Sequence, residues 1–411
     1  MATSTLTKRL TKLAKQSGAP KGTQAAMFDT FLKAAAPQIR NAFRARHDAE
    51  AVFDVLSAFF SLTQRVTTTT PVVEVTSTEH ATFIKSQMPD QAFIVDTVLL
   101  TLRTFGIGYQ AGFNLVLGMG RDNKGALTCV DDPANPLESL IYVVADPTED
   151  VAALKAALER RLRVSQAVVS GFAPMTALLR ETAHDVMAAS DSAQDTKAEV
   201  ASFLRWLLAD NFVFMGLVHG KTRLGLADKS VAKLVDVSDL DAWSIKDHTV
   251  SIRKASTDSL VHRAGRLDDI CIRLDDGSTL KIQGLFTYRA VTQPSRHVPL
   301  LRQSLSTILS AQDCKPSSYR YKGIANVFDS LPTEYLFTTD ADEIVQMIDR
   351  VLEAEQERKA RVHIMQSRGD GTAFVLAAMP RGRWSDEVRQ DIERSLIETT
   401  GASYCDHGVF V

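Results

Sequence analysis

The sequence predicts an α+β protein in which helices cover antiparallel sheets, and three observations support this class. Between about residues 70 and 170, the spacing of the apolar residues changes from strand-like to helical and back in the order β-α-β-β-α, which is the ferredoxin-like pattern. Extended segments recur between residues 211 and 289, where the turn at 275–278 joins two of them as a hairpin. From Arg361 onward the order strand-strand-helix-strand returns. We therefore expect several modules of this class.

The composition of the 411 residues bounds the number of domains and the class of partner. The length predicts two to four domains. Hydrophobic residues make up 45% and charged residues 23%, as in ordinary globular proteins. A net charge of -2 argues against nucleic acid and anionic membranes as partners. We find no stretch close to the ~18 apolar residues of a membrane span. The four cysteines lie far apart, so we expect reduced thiols and a cytoplasmic protein.

The first ferredoxin-like module has a defined order of elements. Asp90 suits the N-cap of an apolar helix, and residues 140–144 read as a buried strand. The segment at 146–149 carries Pro and Glu where a helix start favours them, and this second helix is expected to end before another helix at about 173–189. The core is predicted to contain Phe93, Val98, Leu115, Ile141, Val143, Leu154 and Leu158.

Changes in period predict six segments along the chain. They are an N-terminal helical segment at 1–66, the first module at 67–172, a helical linker at 173–210, a PAS-like antiparallel sheet unit at 211–292, a helical segment at 293–358 and a second, incomplete module at 359–411. In the last module, residues 402–411 are expected to form a strand against 361–366 or 373–378. Because its other edge would lack a neighbour, we expect the chain to be part of something longer or to pair with another chain.

Motifs for catalysis, cofactors and metals are absent from the sequence. Gly118, Gly120 and Gly125 are too irregularly spaced for a dinucleotide fingerprint and fit a hairpin turn, and Ala126 stands where a phosphate-binding loop needs Lys. The histidines show no metal-binding spacing. The best polar cluster is His262, Arg263 and Asp268, with Asp269 nearby, which is either a structural hydrogen-bond network or, less simply, a catalytic group. We predict no catalytic, cofactor-binding or metal-ligating residue.

One segment suggests a ligand. Asp90, Gln91, Phe93 and Asp96 lie where a strand-like region passes into a helix. Amide donors at the helix start could receive the carboxylate of an amino acid, and Asp96 could receive its ammonium group. The alternative is a capped helix with one structural Asp. These four residues are the predicted effector site.

Seven motifs resemble motifs of the large bacterial NAD-specific glutamate dehydrogenases and follow the same order along the chain. They are DQAFIVDTV at 90–98, LRWLLADNFVFMG at 204–216, VHR at 261–263, GLFT at 284–287, PLLR at 299–302, LPTEYLF at 331–337 and PRGRW at 380–384. The resemblance implies ACT-like modules of βαββαβ order, a PAS-like unit and helical linkers that precede a catalytic domain. In ACT modules that bind amino acids, Gly usually occupies the loop position at which Phe93 stands here.

The resemblance also implies what this chain does. The complete family enzyme oxidises glutamate to 2-oxoglutarate and ammonium with NAD, and its catalytic lysines and Rossmann glycines belong to the later domain. We therefore expect a regulatory and oligomerisation region without catalytic activity of its own. The expected partners are further copies of the chain, the catalytic domain and an amino-acid effector. A stand-alone amino-acid sensor and a ligand-free structural module remain alternatives.

Overall fold

The computed structural model describes residues 3–17, 20, 22–64, 70–190, 196–234, 240, 243, 245, 249–312, 315–316, 318–366, 373–402, 405 and 407–409. The chain forms two compact units. The first contains Met1–Ser170, Asp228–Asp236 and Asp258–Gly265, and the second contains Gly171–Ala227, Val237–Thr257 and Arg266–Val411. Each unit has its own antiparallel sheet with helices packed on it, which confirms the predicted α+β class.

Four helices open the first unit. They are α1 (Thr3–Gln16), α2 (Thr23–Ala35), α3 (Asn41–Arg46) and α4 (Ala49–Thr63), and a short 3-10 turn, Ala36–Gln38, follows α2. Apolar residues recur at helical spacing in α2 and α4, and the rings of Phe28, Phe31 and Phe60 pack together. Asp48 caps α4 by accepting a hydrogen bond from the N–H of Ala51. These helices share one core with a face of the following sheet.

The first sheet has five strands in the order β1-β2-β5-β3-β4. The strands are β1 (Val72–Ser77), β2 (Thr82–Pro89), β3 (Tyr109–Arg121), β4 (Leu127–Val130) and β5 (Leu137–Ala145). Helix α5 (Ile94–Thr104) connects β2 to β3, and α6 (Val151–Ala188) follows β5. One sheet face packs against α5 and α6, and the other packs against the N-terminal helices. The core prediction is confirmed for six residues, whereas Phe93 is only partly buried.

Two expectations about this module need correction. In the βαββαβ order, a strand that follows the second helix would lie at the sheet edge beside β2. In this structure β1 occupies that edge instead: it precedes β2 in the chain and forms a hairpin with it. The hairpin forms locally, since Thr78 donates its N–H to the carbonyl of Ala81. The second correction concerns α6, which is one continuous helix of 38 residues instead of two helices.

Helix α6 is also long and apolar enough to cross a membrane by length and composition alone. This corrects the expectation that no stretch approaches a membrane span. In the fold, 44% of its most apolar 18-residue stretch is buried, and core helices of soluble proteins can be equally long and apolar.

The second unit contains another five-stranded sheet, in the order β7-β6-β10-β9-β8. The strands are β6 (Phe212–His219), β7 (Thr222–Gly225), β8 (Val250–Asp258), β9 (Arg266–Arg273) and β10 (Thr279–Phe286). β9 and β10 form the predicted hairpin around the turn at 275–278. Helix α7 (Thr196–Trp206) leads into β6 through a wide turn at Leu207–Asn211, and α9 (Tyr288–Val291) follows β10. The short α8 (Lys229–Ala232) belongs to the first unit.

Helices dominate the rest of the second unit. They are α10 (Leu301–Ala311), α11 (Tyr319–Ser330), α12 (Thr333–Thr338) and α13 (Ala341–Glu357), and they share the core of the second sheet. A two-stranded sheet of β11 (Arg361–Gln366) and β12 (Ala373–Ala378) then precedes α14 (Asp386–Thr400). The strand expected at 402–411 is not found in Ala402, Cys405 or His407–Val409, and its other residues lie outside the described part of the chain.

Candidate functional site

The predicted effector site surrounds the start of α5. Phe93 is the N-cap of this helix and has left-handed backbone angles, φ 69° and ψ 6°. Its carbonyl accepts the first helical hydrogen bond, from the N–H of Thr97 at 2.9 Å. A left-handed conformation costs a residue with a Cβ about 1–2 kcal/mol, whereas glycine adopts it freely. Phe93 therefore keeps a backbone shape that suits glycine, although it carries a large ring.

A loop from further along the chain belongs to the same unit. It spans Asp258–Gly265, between β8 and β9, and we call it the strap. The N–H of Ser259 donates to the carbonyl of Gly265 at 2.8 Å, which closes the base of the strap. The Ser259 hydroxyl donates to the carbonyl of Val261 at 2.6 Å, and Val261 is buried. His262 follows with a left-handed φ of 71°.

The strap brings His262 against the start of α5. The rings of His262 and Phe93 have centroids 4.9 Å apart and planes tilted by 51°. The His262 Nδ1 atom lies 3.5 Å from a carboxylate oxygen of Asp96, whose side chain is 53% exposed. The structure therefore unites residues from two separately predicted groups, the effector site and the polar cluster. At this exposure the contact contributes at most about 1 kcal/mol.

Asp90 and Gln91 have other neighbours. The Asp90 N–H donates to the carbonyl of Leu137 at 2.9 Å, which ties the loop to β5. Partial burial raises the pKa of the Asp90 carboxyl, and a hydrogen bond from the Gln91 N–H opposes this shift. The Gln91 amide donates to the buried hydroxyl of Ser165 on α6 at 3.1 Å. Both residues thus fix the loop in place.

The remaining members of the polar cluster divide between the units. Arg263 lies in the strap, whereas Asp268 lies on β9 in the second unit. Asp268 is buried, pairs with Lys254 at 2.8 Å and accepts the N–H of Phe286 at 3.2 Å. Its neighbour Asp269 accepts from Gln283 at 2.8 Å. These contacts join adjacent strands, so the geometry gives Asp268 a structural role.

Two ion pairs escaped the reading of the sequence. The Arg121–Glu138 pair is buried, whereas in the Arg302–Glu199 pair the Arg302 side chain is 44% exposed. In the first unit, Arg121 donates to both carboxylate oxygens of Glu138, at 2.6 and 3.0 Å, and Gln87 donates to the same carboxylate. In the second unit, Arg302 forms a two-pronged pair with Glu199, which also accepts the N–H of Leu300 at 2.7 Å. A single Glu within the apolar run of β5 was the available signal for the first pair.

Residues of the motif at 204–216 form a hydrogen-bond network inside the second unit. The Trp206 ring N–H donates to Gln293 at 3.1 Å, and Gln293 donates to the side-chain oxygen of Asn211 at 2.7 Å. Asn211 donates back to the Trp206 carbonyl at 2.8 Å and its own carbonyl accepts from Thr287. This network fixes the turn from α7 into β6, which includes Asp210 at a φ of 61°. In the described part of the chain, no group of three His, Cys, Asp or Glu residues could hold a metal ion.

Comparisons with known proteins relate both units to one family. Residues 35–162, which include the first sheet, match the family model described as "Glutamate dehydrogenase, ACT1 domain". Residues 298–358, which include α10 to α13, match "Glutamate dehydrogenase, helical motif 1". The NAD-specific glutamate dehydrogenase of Halomonas elongata is 27% identical over 367 residues. The chain is a relative of the large NAD-specific glutamate dehydrogenases.

Other members of this family show the same extent of similarity. The NAD-specific glutamate dehydrogenase of Pseudomonas aeruginosa is 27% identical over 361 residues, and that of Mycobacterium tuberculosis is 24% identical over 338 residues. The matches cover 75% to 80% of this chain but only 20% to 23% of each relative. The chain therefore spans less than a quarter of the length of these glutamate dehydrogenases.

Proposed function

We propose that this chain is the regulatory and oligomer-forming region of a large NAD-specific glutamate dehydrogenase, and that it works in the cytoplasm beside a separate catalytic domain. The match of the first sheet to an ACT1 domain carries this proposal. The packing roles of Trp206, Asn211 and Arg302 support it, because these motif residues hold the fold together. The complete enzyme would oxidise glutamate to 2-oxoglutarate and ammonium while NAD is reduced.

The catalytic part of this proposal is tested with the purified chain, glutamate and NAD. We expect no NADH, because the proposed role leaves hydride transfer to another domain. Glutamate-dependent NADH production by protein free of the host's own dehydrogenase would contradict the proposal. The reading frame that follows residue 411 provides a second test, since the proposal requires a catalytic domain encoded with this region.

The regulatory part of the proposal is the binding of an amino acid at the start of α5. The effector's carboxylate would accept from amides of the first helical turn, and its ammonium group would pair with Asp96. The Asp96 side chain is 53% exposed, so an ammonium group could reach its carboxylate. The left-handed Phe93 sets the backbone of this turn.

Calorimetric titration with the common amino acids tests the effector site. We expect one of them to bind the wild type and to lose most of its affinity for Asp96→Ala. Glu149→Ala is the matched control. Glu149 is an exposed acidic residue of the same module, and it lies just before the start of α6. No heat from any amino acid would favour a ligand-free structural module, and equal binding by the Asp96 variant would mean that the ligand binds away from Asp96. The contact of His262 with Asp96 is the observation in favour of that second candidate.

The oligomer-forming part of the proposal concerns the sheet of β11 and β12. Val362 and Ile364 lie two residues apart on the same face of β11, and they are 62% and 63% exposed. We expect light scattering over a concentration series to show self-association that Ile364→Lys reduces. Val291→Lys, at an exposed apolar residue on α9, is the control and should have no effect. A parent protein that stays monomeric at every concentration would refute this part alone.

A further inference from the structure

Arg161, on helix α6, is a buried cation that has no carboxylate beside it. Only 7% of the residue is exposed. Within the described residues it forms a single hydrogen bond, from Nη1 to the hydroxyl of Thr104, the last residue of α5, at 3.0 Å. Its Nε atom is buried and has no hydrogen-bond partner. Arginine is almost never fully buried unless it is paired, so this side chain lacks a partner that its burial requires.

The surroundings of Arg161 add positive charge. Arg160, beside it on α6, is exposed, and so is Arg103, which precedes Thr104 on α5. Burial and the positive charge of Arg160 lower the pKa of the Arg161 guanidinium. The acidic residue nearest in sequence, Glu159, lies 4.0 Å from Lys155. In the part of the chain that the structure describes, none of the three arginines has an ion pair, so the counter-charge is missing.

The end of α5 supplies only part of that counter-charge. Helix C-termini carry a partial negative charge that favours a nearby cation. The carbonyls of Thr101 and Leu102 already accept the N–H groups of Phe105 and Ile107, so they close the helix end themselves. The dipole contributes less than an uncompensated buried charge costs. A ligand that brings negative charge would make up the difference.

The free edge of Arg161 has the shape that recognises an oxyanion. Arg121 and Arg302 each bind a carboxylate through Nε and Nη2, at 2.6 and 3.0 Å for Arg121 and at 2.8 and 2.7 Å for Arg302. Arg161 uses only Nη1, so it leaves this same Nε–Nη2 edge without a partner. Two parallel donors on a planar group match two oxygens of a carboxylate or a phosphate.

We propose that Arg161 anchors an anion site at the C-terminal end of α5, where its Nε–Nη2 edge binds the carboxylate or phosphate group of a small molecule. Arg103 and Arg160 form the exposed rim of this site. The Nη1 side of the guanidinium already meets the surface, because Thr104 is exposed, so rotation of the outer side-chain bonds turns the free edge toward the ligand. The site lies at the opposite end of α5 from Asp96 and does not depend on an effector there.

Hydrogen exchange followed by mass spectrometry tests the site in the whole chain. Exchange is compared in sodium phosphate, acetate and chloride at equal pH and ionic strength, over a concentration series. Peptides that cover 94–104 and 151–165 report α5 and α6, and peptides of β9 report the general effect of each salt on the second unit. We expect phosphate or acetate to slow exchange in α5 and α6 about three- to tenfold relative to chloride, because an anion bound only to the folded state stabilises it. A response to phosphate alone assigns a phosphoryl group, and a response to acetate assigns a carboxylate.

Variants of Arg161 separate a binding role from a structural one. Arg161→Met should exchange no faster than the wild type in chloride, because it removes an unpaired buried charge, and it should lose the anion response. Arg161→Lys keeps the charge without the planar fork and should lose most of the response. Arg163→Met, at an exposed arginine of the same helix, is the matched control and should respond like the wild type.

Three results would overturn the proposal. The first is a wild type in which neither anion slows α5 and α6 more than β9. The second is an Arg161→Met variant that keeps the anion response. The third is faster exchange of α5 and α6 in Arg161→Met in chloride, which would give the arginine a structural role instead.

Discussion

Replacement of Glu138 by Gln should strongly destabilise the first unit, because it removes one charge of a buried ion pair. The Glu138 side chain is 3% exposed and that of its partner Arg121 is 4% exposed. Arg121 also donates to the carbonyls of Thr63 and Gly125, both at 2.9 Å. The guanidinium therefore links the end of α4, the β3–β4 turn and β5. Glu138→Gln keeps the size of the side chain and removes the negative charge.

The magnitude follows from what the substitution leaves behind. The Arg121 guanidinium stays buried and charged, but its ionic partner is gone. Removal of one member of a buried pair costs about 3–5 kcal/mol, because an uncompensated charge remains away from water. Removal of both charges should cost less than the sum of the single changes, so Arg121→Met combined with Glu138→Gln should recover about 2 kcal/mol or more.

The assay must report on the first unit alone. The three tryptophans, Trp206, Trp243 and Trp384, all belong to the second unit, so fluorescence follows the wrong part of the molecule. Native-state hydrogen exchange of β5 peptides in low urea measures the opening free energy of the first sheet. Glu149→Gln is the matched control, since it makes the same chemical change at an exposed position.

Two results would refute this reasoning. A loss under about 1 kcal/mol for Glu138→Gln would show that solvent reaches the pair and screens it. If the free-energy losses of the two single substitutions simply add in the double variant, Arg121 and Glu138 act independently. Either result would mean that the pair does not join β3 and β5 in solution.

Three further predictions follow from individual residues. Ile141→Ala and Leu158→Ala should each cost about 2–5 kcal/mol in the same exchange measurement, because both side chains are almost fully buried, and losses under 1 kcal/mol would place them outside the core. Arg358→Gly should raise the unfolding free energy of the second unit by about 0.5–1 kcal/mol in urea titrations followed by tryptophan fluorescence, because Arg358 ends α13 with a left-handed φ of 52°. Burial raises the pKa of Tyr142 to about 12, so its ionisation favours unfolding as the pH rises from about 10 to 12. Tyr142→Phe should therefore remove about 2–3 kcal/mol of the alkaline loss of stability in the first unit, and an unchanged alkaline limb would contradict this assignment.

The sequence predicted the elements whose periodicity is local. Val98, Leu115 and Leu154 recur at the spacing of their own helix or strand, and each is buried as expected. The hairpin of β9 and β10 was readable because its Asp-Asp-Gly-Ser turn lies between two β-prone runs. Phe93 was misjudged because it stands at the helix start, where the helical period does not yet decide which way a side chain points.

The periodicity of apolar residues could not predict which distant segments pair with each other. Nothing in the alternation of β1 shows that it, and not a later strand, lies beside β2, because both choices bury the same face. The pairing of Arg121 with Glu138 depends on the register of β3 and β5, which places Gly118 opposite Leu137. The contact of His262 with Asp96 joins two motifs that are more than a hundred residues apart, and only the folded chain reveals it.

The conformation of Phe93 connects the regulatory proposal with the strap. A glycine at this position would adopt the same backbone without strain, but it would offer no ring to His262. The chain therefore retains a strained residue whose ring contacts that of His262. Strain of this kind persists where surrounding contacts compensate for it, and the His262 ring is such a contact. An effector whose ammonium group bound the Asp96 carboxylate would therefore compete with His262 for the same carboxylate, next to the ring that keeps Phe93 in its left-handed conformation.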